Sequence, residues 1–127
     1  MNIGEASEVT GVPAKTIRYY ESAGLLRPAR SDGNYRVYGE REIQTLRFIQ
    51  KARSLGFSVK EVESLLQLWQ DKNRTSAQVR TLAAAHIEDI DRKLEELRRI
   101  RETLETLVRR CHGDERPDCP IIEELAR

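Results

Sequence analysis

Apolar residues recur at helical spacing along most of the chain, in blocks separated by glycine or proline. Asn2 followed by Glu5 predicts a capped first helix that ends at Gly11. Pro13 suits the first turn of a second helix, over residues 14–22, where its missing N–H leaves no partner unsatisfied. Two short helices joined by a turn of about three residues have the proportions of a helix-turn-helix motif.

The pattern changes between residues 25 and 38 and then becomes helical again. Pro28, a Ser-Asp-Gly-Asn tip and the alternation over residues 35–38 predict a β-hairpin, which we call the wing. A third helix follows from Glu40 to Gly56, and a capping box at Ser58 opens a fourth. The predicted buried positions of these two helices are Ile43, Leu46, Ile49 and Ala52, and then Val59, Val62, Leu65, Leu66 and Trp69.

A capping box at residues 75–78 opens the longest predicted helix, which contains neither glycine nor proline up to Arg110. At about 1.5 Å per residue it is a rod of about 50 Å. Its apolar residues recur at near-heptad spacing, which favours pairing with another helix, and a chain this short cannot bury them elsewhere. These residues are Ile90, Leu94, Leu97, Leu104 and Leu107 or Val108.

The predicted fold is therefore mainly α. A winged helix-turn-helix DNA-binding domain occupies residues 1–70, and a linker and dimerisation helix that forms a coiled coil occupies residues 71–110. Residues 111–127 form a loop between two cysteines and a last short apolar helix, over residues 120–126. We expect a homodimer, because the coiled coil needs a second chain.

The distribution of charge along the chain indicates the kind of partner. The 127 residues carry 22 Lys+Arg and 21 Asp+Glu, but residues 1–60 have a net charge of +4 and residues 61–127 a net charge of −3. The basic first half favours a nucleic-acid partner. Without a signal-peptide pattern or a membrane-length apolar run, we expect a cytoplasmic protein with no membrane partner. No catalytic motif is present, so the sequence predicts a non-enzyme.

Basic and aromatic residues concentrate on the second helix and the wing. A recognition helix enters the major groove while flanking Arg and Tyr side chains bond to phosphates. In the alternative interpretation, one tyrosine packs in the core beside Ile17 and the arginines are simply solvated. Eight such residues within 24 positions favour DNA contact: Lys15, Arg18, Tyr19, Tyr20, Arg30, Tyr35, Arg36 and Tyr38.

Three segments, TIRYYESAGLL, NYRVY and LRFIQKARSLGFSVKEV, together resemble the amino-terminal domain of the MerR family of transcription regulators. The resemblance covers the whole chain. It implies a dimer held by an antiparallel coiled coil and bound to a palindromic operator in double-stranded promoter DNA. Such a dimer acts on RNA polymerase indirectly, by distorting an overlong promoter spacer. Arg53, in the third segment, completes the DNA-binding candidates.

Cys111 and Cys119 are the candidate metal ligands, with seven residues between them. Two thiolates suffice for linear coordination of Cu(I), whereas structural zinc sites and iron–sulfur clusters take four ligands. The C-x7-C-P-I-I arrangement is similar to the metal loop of the copper-efflux-regulator branch of the family. That resemblance implies Cu(I), Ag(I) or Au(I) as effector and copper efflux or detoxification genes as targets.

Ser76 is the candidate metal-selectivity residue. In the divalent-ion branches of the family a third cysteine stands at the start of the dimerisation helix, where this chain has Thr75 and Ser76. The resemblance implies that its absence favours a singly charged ion, although either residue would also cap the helix. Arg80, one turn further on, either offsets the charge of a bis-thiolate centre or is an ordinary surface residue.

The two thiols also fit other functions. Cys111 and Cys119 could form a reversible disulfide in a redox sensor, or serve a divalent-metal sensor of the same family. They could also be unreactive, or join His86 and His112 in a zinc site, although His86 lies about 37 Å along the same helix from Cys111. Outside regulation, the chain could be a coiled-coil adaptor with a basic front.

Overall fold

The computed structural model describes the whole chain, Met1–Arg127, as six helices and two short strands. The elements are α1 (Ile3–Thr10), α2 (Ala14–Ser22), β1 (Ala29–Arg30), β2 (Arg36–Val37), α3 (Glu40–Ser54), α4 (Val59–Gln70), α5 (Ser76–Arg110) and α6 (Pro120–Leu125). The mainly helical prediction is confirmed, including the long helix near the carboxyl terminus. The chain divides into two compact units, Met1–Val79 and Arg80–Arg127.

The turn between α1 and α2 is built by Thr10 and Gly11. Gly11 ends α1 with a φ of 76°, a left-handed conformation that glycine adopts without a Cβ penalty, and its N–H donates to the Ser7 carbonyl at 2.8 Å. The buried hydroxyl of Thr10 donates to the Ala6 carbonyl at 2.7 Å and accepts from the Val12 N–H at 3.2 Å. These bonds set the direction in which α2 leaves the turn.

The wing is a two-stranded antiparallel hairpin. Ala29 pairs with Val37 and Arg30 with Arg36, and the tip turns at Asn34, which has a φ of 64°. Asparagine is one of the few side chains that tolerate this region, as the predicted turn requires.

The core of the first unit lies among the first four helices, in which α1 contacts α2 and α3, and α3 contacts α4. Ile17, Leu46 and Val62 are fully buried there. The buried stripe predicted for α4 is correct for Val62 and Leu66, whereas Val59 and Leu65 are half-buried. Trp69 was expected inside, but 39% of it is exposed.

Phe48 explains the position of Trp69. The two rings stack with their centroids 4.5 Å apart and an interplanar angle of 4°. One face of the indole is thus covered by Phe48 on α3, while part of its surface remains in contact with solvent.

In the second unit, α5 carries an exposed row of apolar side chains. Leu94, Leu97, Leu104 and Val108 are each about half exposed or more, at 59%, 60%, 49% and 59%. Arg–Glu pairs three or four residues apart occupy other positions of the helix, such as Arg98 with Glu102. None of the helices has the length and apolar character needed to cross a membrane.

Candidate DNA-binding surface and thiol site

Three of the predicted DNA-binding residues share one exposed face of α2. Lys15, Arg18 and Tyr19 are spaced three and four residues apart, so they lie side by side on the helix. All three are exposed, and 53% of Tyr19 is accessible to solvent. Ile17 and Tyr20 point the opposite way and are buried, which holds α2 on the core and presents its basic face outward.

The wing presents two further predicted residues, Arg30 and Tyr35. Both are exposed, Tyr35 by 75%, and Arg30 Nη1 lies 3.4 Å from the Asn34 carbonyl oxygen of the hairpin tip. The exposed residues of α2 and of the wing therefore supply both long cations and aromatic hydroxyls, the groups that bind nucleic-acid backbone.

Tyr20 and Tyr38 do not match the expectation of DNA contact. Their exposed fractions are 6% and 0%, so their rings offer no surface for DNA in this structure. Tyr20 lies on the buried side of the amphipathic helix α2. Tyr38 is held inward by a partly buried hydrogen bond to Glu21. Arg36 is half-buried, with its Nε donating to Glu21 Oε2 at 2.6 Å.

Glu21 is a residue that the sequence analysis missed. Its carboxylate accepts hydrogen bonds from both Arg36 and Tyr38 of the wing. An acidic residue within the basic run of α2 was the available signal, since a carboxylate beside DNA phosphates is unfavourable unless a cation compensates it.

Arg53 lies on the surface near the carboxyl end of α3. Its Nη1 donates to the Phe57 carbonyl oxygen at 2.8 Å, across the turn that leads into α4. The guanidinium therefore satisfies a carbonyl of that turn, a local role that its predicted DNA contact does not require.

The thiol pair joins the end of α5 to the start of α6. Cys111 directly follows α5, Cys119 is the N-cap of α6, and their Sγ atoms lie 3.3 Å apart. Both are free thiols, since a disulfide would place the sulfurs about 2.05 Å apart. Two metal–sulfur bonds of about 2.3 Å, the Zn–S length, would meet at an angle of about 90° across the observed separation. Linear coordination of one soft ion by both thiols therefore requires the sulfurs to move to about 4.6 Å apart.

The surroundings of Cys119 favour its thiolate. A hydrogen bond with the Cys111 thiol lowers the pKa of Cys119, and the backbone N–H groups of Ile122 and Ile121 lower it further. Metal binding requires the deprotonated sulfur, so this arrangement reduces the cost of losing the proton.

Of the remaining candidates, Arg80 and His86 lie far from the thiols along α5. Arg80 and His86 are 31 and 25 residues before Cys111 on one continuous helix, about 46 and 37 Å along its axis. A Cys2His2 zinc site with His86 is therefore not assembled within one chain. His112 is exposed in the loop. The cap of α5 is Thr75, whose hydroxyl accepts from the Gln78 N–H at 3.2 Å, so Ser76 is not needed for that role.

Comparison with known proteins identifies the family. Residues 1–69 match the MerR HTH family regulatory protein family and residues 43–107 match the family described as MerR, DNA binding. The HTH-type transcriptional regulator HmrR of Rhizobium leguminosarum bv. viciae is 56% identical over 126 residues, which cover 99% of this chain and 98% of HmrR. The regulator CueR of Vibrio cholerae is 44% identical over 126 residues, covering 98% and 91%.

A solved structure shows the same fold. The transcription regulator PbrR691 from Ralstonia metallidurans CH34, in complex with lead(II), aligns with a TM-score of 0.84 at 36% identity and covers 98% of both chains.

The chain belongs to the MerR family of transcription regulators. It is a DNA-binding transcription regulator and not an enzyme, as the sequence predicted.

Proposed function

We propose that the protein is a transcriptional activator that senses Cu(I), or Ag(I) or Au(I), through Cys111 and Cys119. It binds a palindromic operator as a homodimer, distorts the promoter spacer for RNA polymerase and switches on copper efflux or detoxification genes. The observation that carries this proposal is the contact between the two thiols, 3.3 Å apart, in a chain with no third cysteine.

The ligand set supports a singly charged soft ion. Thiolates select soft metals, and two of them satisfy Cu(I), whereas a closed tetrahedral zinc site takes four ligands. Two thiolates and one monovalent ion carry a net charge of −1, which is costly to hold in a partly buried site unless nearby donors or a cation offset it. Both cysteines are half-buried.

The position of the thiols supports a structural readout. Holding Cys111 and Cys119 to one ion joins the residue that follows α5 to the N-cap of α6. The loop between them is then closed, and the apolar residues of α6 are fixed in direction. Ile122 and Leu125 are 62% and 75% exposed, so α6 has an apolar face available for docking against α4 or the coiled coil.

Operator binding is assigned to the exposed residues Lys15, Arg18, Tyr19, Arg30 and Tyr35. Two such surfaces related by a two-fold axis match a palindromic operator. This surface rests on side chains beneath it: the buried Tyr20 and Tyr38, and the half-buried Arg36. Arg53 stabilises the turn between α3 and α4.

Anaerobic titration with Cu(I), in competition with a chromogenic Cu(I) chelator, tests the proposal. We expect one Cu(I) per chain, with Cys111→Ser and Cys119→Ser each losing most of the affinity. His112→Ala is the matched control within the loop and should bind normally. Full affinity in either serine variant contradicts the proposed site.

A divalent-ion sensor is the second candidate, and the lead(II) complex of PbrR691 favours it. Ser76→Cys adds a thiol at the start of α5 and should raise the response to Hg(II) or Zn(II) in a promoter assay, because a third soft ligand suits a doubly charged ion. Ser76→Ala, which removes the hydroxyl without adding a thiol, is the control. A response to divalent ions that is unchanged by Ser76→Cys contradicts the role assigned to Ser76.

A thiol redox sensor is the third candidate, favoured by the proximity of the two sulfurs and by the lowered pKa of Cys119. In that case peroxide oxidises both thiols to one disulfide and is itself reduced to two molecules of water. Transcription that rises with peroxide under metal-free conditions, and not with Cu(I) under anaerobic conditions, would establish this alternative in place of metal sensing.

A further inference from the structure

One carboxylate joins α2 to the wing. Arg36 Nε donates to Glu21 Oε2 at 2.6 Å, and the Tyr38 hydroxyl donates to Glu21 Oε1. We call these three residues the helix–wing link. Arg36 and Tyr38 flank Val37 in sequence, so one helical side chain binds the end of the wing at two points.

The link is shielded from solvent. The side chain of Glu21 is 11% exposed and Tyr38 is fully buried, whereas the Arg36 side chain is 34% exposed. A carboxylate in this position needs a cation and hydrogen-bond donors to offset its desolvation. Burial and the hydrogen bond to Glu21 raise the pKa of Tyr38, so its phenol remains a donor at physiological pH.

The charges of the helix–wing link determine whether Arg36 can neutralise a DNA phosphate. Glu21 lies on the helix that carries Lys15 and Arg18, and an uncompensated carboxylate there would repel phosphate. Arg36 lies within a hydrogen bond of that carboxylate, so its charge is already balanced inside the protein. A cation that neutralises a phosphate must not already be paired with a carboxylate, and Arg36 is paired with Glu21.

We propose that Glu21 is a positioning residue, which holds the wing against α2 through Arg36 and Tyr38, and that Arg36 does not contact DNA phosphate. The spacing between the cations of α2 and those of the wing is then set by the link, although none of its members touches DNA. This inference rests on the DNA-binding surface proposed above, and the two can fail separately.

Salt dependence separates a positioning role from a phosphate contact. A duplex selected by the wild-type protein from a random library serves as probe, and affinity is measured over a range of salt concentrations. Arg36→Gln should lower the affinity roughly 10-fold, as expected for a lost charged hydrogen bond, with no change in the slope of log K against log salt. Arg18→Gln should reduce the slope by about 0.9, the value for one phosphate contact.

Two outcomes of this experiment contradict two different proposals. A slope that falls by about 0.9 both in Arg36→Gln and in the double variant Glu21→Gln with Arg36→Gln, which leaves no unpaired carboxylate, overturns the inference, because Arg36 then neutralises a phosphate. Unchanged slopes for both Lys15→Gln and Arg18→Gln contradict the proposed DNA-binding surface instead.

Glu21→Gln gives an independent test, because removing a negative charge near DNA should tighten binding by Coulomb's law alone. We expect the opposite, roughly 10-fold weaker binding, together with faster amide hydrogen exchange over residues 29–37 and unchanged exchange in α3 and α4. Tyr38→Phe should show the same exchange pattern. Glu8→Gln, an exposed glutamate on α1, is the matched control. Tighter binding or unchanged exchange in the wing of Glu21→Gln overturns the inference.

Discussion

At the residue scale, the turn of the DNA-binding motif depends on the hydroxyl of Thr10. It makes two hydrogen bonds within the turn, to the Ala6 carbonyl and from the Val12 N–H, and the side chain is buried. Valine has nearly the same shape but cannot form either bond. The Val12 N–H would then be left without its acceptor in a buried position, which is costly.

We predict that Thr10→Val lowers the free energy of unfolding by about 1–3 kcal/mol. Urea denaturation at a fixed protein concentration measures this change, since the stability of the proposed dimer depends on concentration. Thr16→Val, on the half-buried part of α2, is a control with the same substitution. A loss no greater than that of the control contradicts the role of Thr10.

Local hydrogen bonds could be predicted from the sequence, whereas contacts between distant residues could not. The capping boxes at Asn2 and Ser58 were predictable because both partners lie three residues apart. The burial of Tyr38 was not, because it depends on Glu21, 17 residues away, and the alternation of the wing alone cannot identify its inward partner. Trp69 was misplaced for a related reason: its stacking partner Phe48 lies on another helix.

At the element scale, α5 has an apolar row without a covering element in the second unit. Leu94, Leu97, Leu104 and Val108 are spaced by three, seven and four residues, a near-heptad pattern that was evident in the sequence. A row of exposed apolar side chains on one helix is typical of an interface. We therefore propose that two copies of α5 pair here in an antiparallel coiled coil.

Replacing Leu94 and Leu97 together by glutamine should raise the dissociation constant of the dimer at least ~100-fold, because four buried leucines are lost per dimer. Sedimentation equilibrium measures the change. Arg92→Gln with Arg99→Gln, on the opposite face, is the matched control and should remain dimeric. A dimer that is unaffected by the leucine substitutions would place the interface elsewhere.

At the scale of the whole molecule, metal and DNA are assigned to different units of the chain, the thiols to residues 80–127 and the DNA-binding surface to residues 1–79. We propose that the dimer occupies its operator with or without metal, and that the ion changes the populations of two dimer conformations. Distorting the spacer costs a few kcal/mol. The preference of the ion for one conformation must supply that energy.

Docking of α6 is the proposed link between the thiols and the DNA-binding units. Deleting residues 120–127 should leave operator affinity unchanged and abolish metal-dependent transcription. The deletion also removes the N–H groups that stabilise the Cys119 thiolate, so Ile122→Gln with Leu125→Gln is the sharper variant. It keeps the backbone, and it should bind Cu(I) normally without activating transcription. Activation retained by both variants contradicts the coupling through α6.

The most direct test of the account is transcription in a defined system. Purified protein and RNA polymerase act on a promoter whose spacer contains the selected palindrome, under anaerobic conditions, with Cu(I), Ag(I), Zn(II), Pb(II) or Hg(II) added separately. We predict that Cu(I) and Ag(I) raise transcript levels at constant operator occupancy, and that Cys111→Ser and Cys119→Ser abolish the increase. Activation by divalent ions but not by Cu(I), or activation that survives in the serine variants, would contradict Cu(I) sensing through Cys111 and Cys119.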